Sequence, residues 1–133
     1  MRLIEQLRAV NAASVYNRAA GFELLSADDG KCELAVDVKP DLLNHAGVLH
    51  AGVMGAMIDT ACGFAAASIV GAVVASHYSV NCYWPGKGSR FVARAEVVKQ
   101  GKRQLFATAQ LYSVCEGVDD VLIAGGDVVL LVA

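Results

Sequence analysis

Apolar residues recur along the chain with two different periods, which separate predicted helices from predicted strands. Residues 2–16 place Leu3, Leu7 and Val10 on one side of a short amphipathic helix. Residues 51–70 are apolar on nearly every side, a pattern that predicts a long helix buried in a core.

Six segments alternate apolar and polar residues and are predicted to be strands. They cover residues 21–26, 31–38, 73–83, 89–100, 104–114 and 121–132. Asp28-Asp29-Gly30 predicts a turn between the first two strands, and Pro40 ends the second. A hairpin, one long helix and a four-stranded meander predict an α+β fold, in which an antiparallel sheet surrounds a central helix. We expect residues 1–133 to form a single domain.

Composition adds an expectation about association, because 56% of the residues are hydrophobic and only 18% are charged. Such a chain either spans a membrane or covers apolar surface with a copy of itself. Residues 51–75 are long enough to cross a bilayer, but Asp59 near their middle costs roughly 2.5–3.5 kcal/mol there. We therefore expect no membrane partner and predict a homo-oligomer.

The net charge of −2 argues against a nucleic-acid partner, since it provides no chain-wide basic field. Residues 1–10 lack the uninterrupted apolar core of a secretory signal. The four cysteines form no CxxC pair, which favours reduced thiols and a cytoplasmic location. His45 and His50 have no third ligand at a suitable spacing, so no metal is expected.

One side of the predicted central helix combines small residues with a carboxylate. At helical spacing Asp59 shares its side with Gly52, Gly55, Ala56, Gly63 and Ala66. Small residues alone can simply permit close packing. No Lys or Arg lies on this helix to neutralise Asp59, however, and a buried unpaired carboxylate is costly and has a raised pKa. We therefore predict that Asp59 lies at a cleft.

The start of the same helix offers a second chemical group. Free backbone N–H groups and a partial positive charge at a helix N-terminus can polarise a carbonyl and stabilise an oxyanion. Asp59 follows roughly 12 Å further along the axis, too far to serve the same carbonyl in one chain. A two-fold dimer would pair the helix start of one subunit with Asp59 of the other.

The motif N44-x-x-G47-x-x-H50-A51-G52, followed by D59 and G63-x-A65-A66, resembles the signature of hotdog-fold acyl-CoA thioesterases of the phenylacetate-degradation type. Residues 79–85 and 93–102 look like that family's next two strands, and the resemblance covers residues 20–132. It implies a hotdog fold preceded by an N-terminal helix and lead-in at residues 1–19. It also implies an acyl-CoA substrate, no cofactor, and a homodimer or a dimer-of-dimers homotetramer with shared active sites.

The resemblance implies a role for each matching residue. Asp59 corresponds to the catalytic carboxylate, either a general base or a nucleophile. Asn44 corresponds to a residue that positions the attacking water or the thioester, and His50 to one that fixes the loop. The Ala51 N–H corresponds to the oxyanion hole, although the family usually has glycine there. Alanine is tolerable unless the position needs a positive φ.

Further residues are expected to bind substrate. Gly52 belongs to the same motif, and Ser76 or His77 falls near a Ser or Thr that holds the water. The family's segment near the phosphates of coenzyme A corresponds to Lys99, Lys102 and Arg103. The alternative for these three cations is an ordinary solvated turn. The small residues beside Asp59 suggest an aromatic or medium-chain acyl group.

Two other functions compete with hydrolysis. Hotdog domains also serve as non-catalytic modules that bind or sense acyl-CoA. Dehydratases of this fold pair Asp with a His a few residues downstream, and no such pair follows Asp59. A hydrolysis screen discriminates the enzyme from the binding module.

Overall fold

The computed structural model describes all 133 residues, and it confirms the α+β architecture. The helices are α1 (Leu3–Ala13), α2 (Val15–Ala20) and α3 (Ala51–Val70), with a short 3-10 helix at Pro40–Leu42. The strands are β1 (Glu23–Asp28), β2 (Lys31–Asp37), β3 (Val73–Cys82), β4 (Arg90–Gln100), β5 (Gln104–Ser113) and β6 (Val121–Val132).

The N-terminal segment forms two helices instead of the single helix predicted for residues 2–16. Ser14 has extended backbone angles and interrupts the helix, and its hydroxyl accepts a hydrogen bond of 3.2 Å from the Asn17 N–H. This side-chain cap starts α2, which continues to Ala20 and delays β1 to Glu23. The predicted first strand therefore began two residues too early.

The six strands form one antiparallel sheet in the order β1-β2-β4-β5-β6-β3. Of the four strands predicted to form a meander, only β4, β5 and β6 lie beside their neighbours in sequence, so the prediction was wrong for β3. That strand pairs with β6 instead, from Val73 opposite Val132 to Cys82 opposite Ala124. As a result β3 lies at an edge of the sheet, and most of its residues are exposed.

Helix α3 lies across the sheet and contacts all six strands. His50 caps its start, and Gly71, with φ of 83°, ends it. The helix is long and apolar enough to cross a membrane, but it is the core helix of this sheet. Its residues Met57, Ile58 and Ala65 are completely buried, so the apolar character of the helix is explained by the core.

The open side of α3 differs in detail from the predicted row of small residues. Gly55 and Ala66 are buried against the protein's own sheet. The Tyr78 ring of β3 lies 3.6 Å from where a Cβ on Gly55 would be, an ordinary van der Waals contact, so β3 covers this part of the helix. Asp59 and Gly63 remain on the partly exposed side, as predicted.

Candidate active site

Asp59 lies on the half-exposed side of α3, at a cavity of about 440 Å³. Its carboxylate is in none of the chain's ion pairs and accepts no side-chain hydrogen bond. Burial raises the pKa of the Asp59 carboxyl above its ordinary value. An unpaired carboxylate in this setting is a stronger base than an exposed one.

Three parts of the fold enclose this cavity. The open side of α3 forms the floor of the cavity, with Thr60, Gly63 and Phe64 beside Asp59. The start of β3 forms one wall, and α1 and α2 form the other. The side chains from α1 and α2 are Leu3, Gln6, Leu7, Val10 and Asn17. The lining is mainly apolar, so the cavity suits an apolar group joined to a reactive carbonyl.

The loop before α3 is organised by Asn44. Its side-chain oxygen accepts hydrogen bonds from the N–H groups of Ala46, at 2.9 Å, and Val48, at 3.3 Å. Its backbone carbonyl accepts a third from Gly47, which has φ of 78°. The Asn44 oxygen is thus committed to the loop, and the group left to face a ligand is the side-chain NH₂.

His50 caps α3 directly. Its Nδ1 accepts a hydrogen bond of 2.8 Å from the Gly52 N–H, while its backbone carbonyl accepts from Val53 and Met54. The N–H of Ala51, at the first helical position, donates to no acceptor in the chain. This arrangement leaves one exposed donor at the positive end of α3.

The donor at Ala51 and the carboxylate of Asp59 line different cavities. Ala51, Asn44 and Trp84 line a second cavity of about 620 Å³ at the start of α3. Asp59 is absent from its lining, and Ala51 is absent from the lining of the first cavity. Within a single chain the two groups therefore do not share a binding space.

The two residues predicted near the start of β3 do not reach Asp59. Tyr78 pairs with the buried Val128 and faces α3, so its neighbour His77 faces the opposite side of the sheet. Ser76 occupies a bulge, where its hydroxyl lies 3.4 Å from the Val129 carbonyl oxygen. The β3 residue that lines the Asp59 cavity at this level is Ala75.

Lys99, Lys102 and Arg103 lie near the turn between β4 and β5 and form no ion pair within the chain. The Arg103 carbonyl accepts a hydrogen bond from Val132, and the Ala72 carbonyl accepts one from Ala133. These bonds hold the basic turn at the end of the sheet where α3 finishes. It is distant from Ala51, at the opposite end of the helix.

Comparisons with known proteins identify the family of this chain. Residues 46–117, more than half of the chain, match the thioesterase superfamily. Over 99 residues the chain is 31% identical to the acyl-coenzyme A thioesterase PaaI of Escherichia coli K12, covering 70% of this chain and 71% of that protein. The chain belongs to the thioesterase superfamily.

Solved structures confirm the hotdog fold of this thioesterase. A thioesterase family protein from Silicibacter pomeroyi is 32% identical and superimposes with a TM-score of 0.90, covering 96% of each chain. The E. coli PaaI protein from the phenylacetic acid degradation operon is 23% identical by structural alignment, with a TM-score of 0.86 over 98% of this chain and 92% of that chain. The predicted resemblance to the phenylacetate-degradation type is confirmed.

The alanine at position 51 of the thioesterase fits its backbone. Among the non-glycine residues only Asp29 has a positive φ, so Ala51 adopts ordinary helical angles. The departure from glycine therefore introduces no backbone strain and leaves the N–H free.

The contribution of α1 and α2 to the cavity was missed by sequence reasoning. The spacing of Leu3, Leu7 and Val10 indicated an apolar helix face, but not what it covers. Nothing in the sequence pattern indicated a role for Asn17, because Ser14 was not recognised as the cap that starts α2. Phe64, a buried residue of α3, also lines the cavity.

Proposed function

We propose that this thioesterase hydrolyses an acyl-CoA thioester to the free acid and coenzyme A. The observation that carries the proposal is Asp59, an unpaired, partly buried carboxylate with a raised pKa in a mainly apolar cavity. The identity of the E. coli relative as an acyl-coenzyme A thioesterase supports the choice of substrate class.

Two reactions of the Asp59 carboxylate lead to these products. As a general base it takes a proton from a water molecule whose oxygen attacks the thioester carbonyl. As a nucleophile it attacks the carbonyl itself, and water then cleaves the resulting mixed anhydride. In both reactions the carbon–sulfur bond breaks, and coenzyme A leaves as a thiolate that is then protonated.

The start of α3 is proposed to stabilise the oxyanion formed on attack. The Ala51 N–H is the free donor, and the partial positive charge of the helix end adds to it. His50 holds this turn in place through its bond to Gly52. In the same proposal Asn44 contributes its side-chain NH₂ to the water or to the thioester.

A complete site requires two chains in this proposal. Ala51 and Asp59 line separate cavities, so the donor and the carboxylate must come from different subunits. The edge strand β3 supports such pairing, because its outer edge is free and its Val74 and Tyr78 are 56% and 54% exposed. Antiparallel pairing of two β3 edges is two-fold symmetric and gives a homodimer, or the unit of a dimer-of-dimers tetramer.

The substrate is proposed to lie with its acyl group in the Asp59 cavity and its phosphates against Lys99, Lys102 and Arg103. These cations form no ion pair within the chain and are exposed, which leaves them available to phosphates. The volume and the apolar lining suit an aromatic or a medium-chain acyl group.

A hydrolysis screen across acyl-CoAs, read with a thiol-trapping dye, tests the proposal. We expect release of coenzyme A by the wild type and its loss in Asp59→Ala. The matched control is Asp119→Asn, an exposed carboxylate in the turn before β6, which should retain full activity. A wild type that binds acyl-CoA but releases no thiol would instead be a binding or sensing module.

A further inference from the structure

Trp84 is the one tryptophan of the chain, and 65% of its surface is exposed. Its indole forms no aromatic pair and no cation–π contact within the chain. The residue lines the cavity at the start of α3 that also contains Ala51 and Asn44. A large aromatic ring left open beside a cavity is typical of a residue that contacts a ligand.

The loop that carries Trp84 is held at both ends. The N–H groups of Tyr83 and Trp84 both donate to the Ile123 carbonyl, at 2.8 and 3.2 Å. Further along the loop, the Gly86 carbonyl accepts a hydrogen bond of 2.9 Å from Leu49, just before α3. A Cβ on Gly86 would lie 2.6 Å from the Leu49 side chain, so the loop packs closely there. The backbone of Trp84 is therefore fixed relative to the start of α3, while its indole stays exposed.

The proposed position of the thioester assigns an occupant to this cavity. The thioester carbonyl is joined to the acyl chain on one side and to the sulfur of coenzyme A on the other. With the oxygen at the Ala51 N–H and the acyl chain in the cavity of the partner's Asp59, the sulfur side faces the cavity that Trp84 lines. Beyond the sulfur comes the pantetheine arm, which contains two amides and a dimethyl group.

The same arrangement directs the arm towards the basic turn of the partner. The part of α3 from Asp59 to Val70 spans about 16 Å. The two helices run antiparallel in the proposed dimer, so pairing Ala51 with the partner's Asp59 leaves the last turns of the partner's α3 beyond the start of this one. The basic turn lies at that end of the helix. Trp84 is therefore on the path from the thioester to the proposed phosphate site.

We propose that Trp84 of one subunit binds the pantetheine arm of the acyl-CoA that is cleaved between Ala51 and the partner's Asp59. The flat indole packs against the second amide and the dimethyl group of the arm, and it does so equally in the ground and transition states. The inference rests on the proposed hydrolysis of acyl-CoA. It adds that the site selects pantetheine thioesters over thioesters of shorter thiols.

The kinetic test compares one acyl group on two thiols, coenzyme A and N-acetylcysteamine, which ends after the first amide of the arm. Trp84→Leu should raise KM for the coenzyme A thioester by about tenfold with nearly unchanged kcat. Its kinetics with the N-acetylcysteamine thioester should equal those of the wild type. Trp84→Phe retains a flat ring and should restore most of the KM. The matched control is Tyr16→Leu, which replaces another exposed aromatic residue, outside both cavities, and should keep the wild-type preference.

The single tryptophan also reports binding without catalysis. Titration of the wild type with coenzyme A, which carries no acyl group, should change the tryptophan fluorescence with saturation, and N-acetylcysteamine should not. The calorimetric dissociation constant for coenzyme A should rise about tenfold in Trp84→Leu. If the wild type hydrolyses no thioester, the proposed activity fails, and these binding measurements then decide the inference.

An unchanged KM for the coenzyme A thioester in Trp84→Leu would overturn the inference, and so would an equal rise for both thioesters. Fluorescence that stays constant while calorimetry shows saturation with coenzyme A would overturn it as well. Without any hydrolysis, equal dissociation constants for coenzyme A in the wild type and Trp84→Leu would have the same consequence.

Discussion

His50 Nδ1 accepts a hydrogen bond of 2.8 Å from the Gly52 N–H, and this bond leaves the neighbouring Ala51 N–H free. The two donors at the start of α3 thus have different tasks. One closes the helix cap, and the other is proposed to meet the oxyanion. The two tasks can be separated by substitution.

Ala51→Pro removes the proposed oxyanion donor while it preserves the helix. Proline is favoured at the first helical position, and His50, with φ of −63° and ψ of 137°, already has the conformation that a following proline requires. We expect kcat to fall by about 10²–10³ with an unchanged or higher Tm. Thermal melts and steady-state kinetics check this, and unaltered kcat in a folded variant would contradict the oxyanion role.

Mixing two inactive variants tests whether subunits share a site. Ala51→Pro removes the oxyanion donor from every site, and Asp59→Asn removes the carboxylate from every site. Each homodimer should therefore be inactive. After joint refolding, half of the dimers contain one site with both intact halves, which predicts about a quarter of wild-type activity. No recovery in verified mixed dimers would place both groups in one chain, and sedimentation as a stable monomer at micromolar concentration would exclude sharing outright.

The basic turn predicts a binding effect without a catalytic one. Replacing Lys99, Lys102 and Arg103 by glutamine should raise KM and leave kcat nearly unchanged, because phosphate contacts are the same in ground and transition states. Wild-type KM should also rise with salt, and the triple variant should lose most of that dependence. An unchanged KM in the variant would mean that the cluster is ordinary surface.

Local pattern was sufficient to predict the central helix. The predicted and observed bounds of α3 agree at both ends, since a cap residue precedes it and a glycine follows it. The partly exposed position of Asp59 also followed from helical periodicity. The predicted and observed bounds of β6, Val121 to Val132, also agree.

Non-local relationships could not be predicted in this way. Alternation identified β3 as a strand but contained no information on its neighbour, so its place beside β6 was missed. The cap at Ser14 looked like a continuation of α1, which concealed α2 and with it Asn17. Gly55 looked like part of the open side, because only the folded sheet reveals that Tyr78 covers it.

The raised pKa of Asp59 predicts where the acidic limb of the pH profile of kcat lies. Both proposed reactions need the ionised carboxylate, so kcat should fall as the pH drops through the raised pKa. The acidic limb should therefore have an apparent pKa above the ordinary aspartate value of about 3.9. Rates measured across the acidic range in buffers of constant ionic strength check this, and a limb at or below that value would argue against a desolvated carboxylate.

Asp59→Asn separates catalysis from stability. The substitution keeps the side-chain volume but removes the base or nucleophile, so kcat should fall by at least about 10²-fold. Because burial raises the pKa of Asp59, the folded state favours the protonated form, and the stability associated with that form is lost as the pH rises through the raised pKa. The variant should therefore match the wild-type Tm at low pH and exceed it at neutral pH, where the wild type carries the unpaired charge.

Binding of acyl-CoA by Asp59→Asn should persist. The control variant Asp119→Asn, whose carboxylate is exposed, should change neither kcat nor Tm. Hydrolysis by Asp59→Asn at nearly the wild-type rate would mean that another group performs the chemistry.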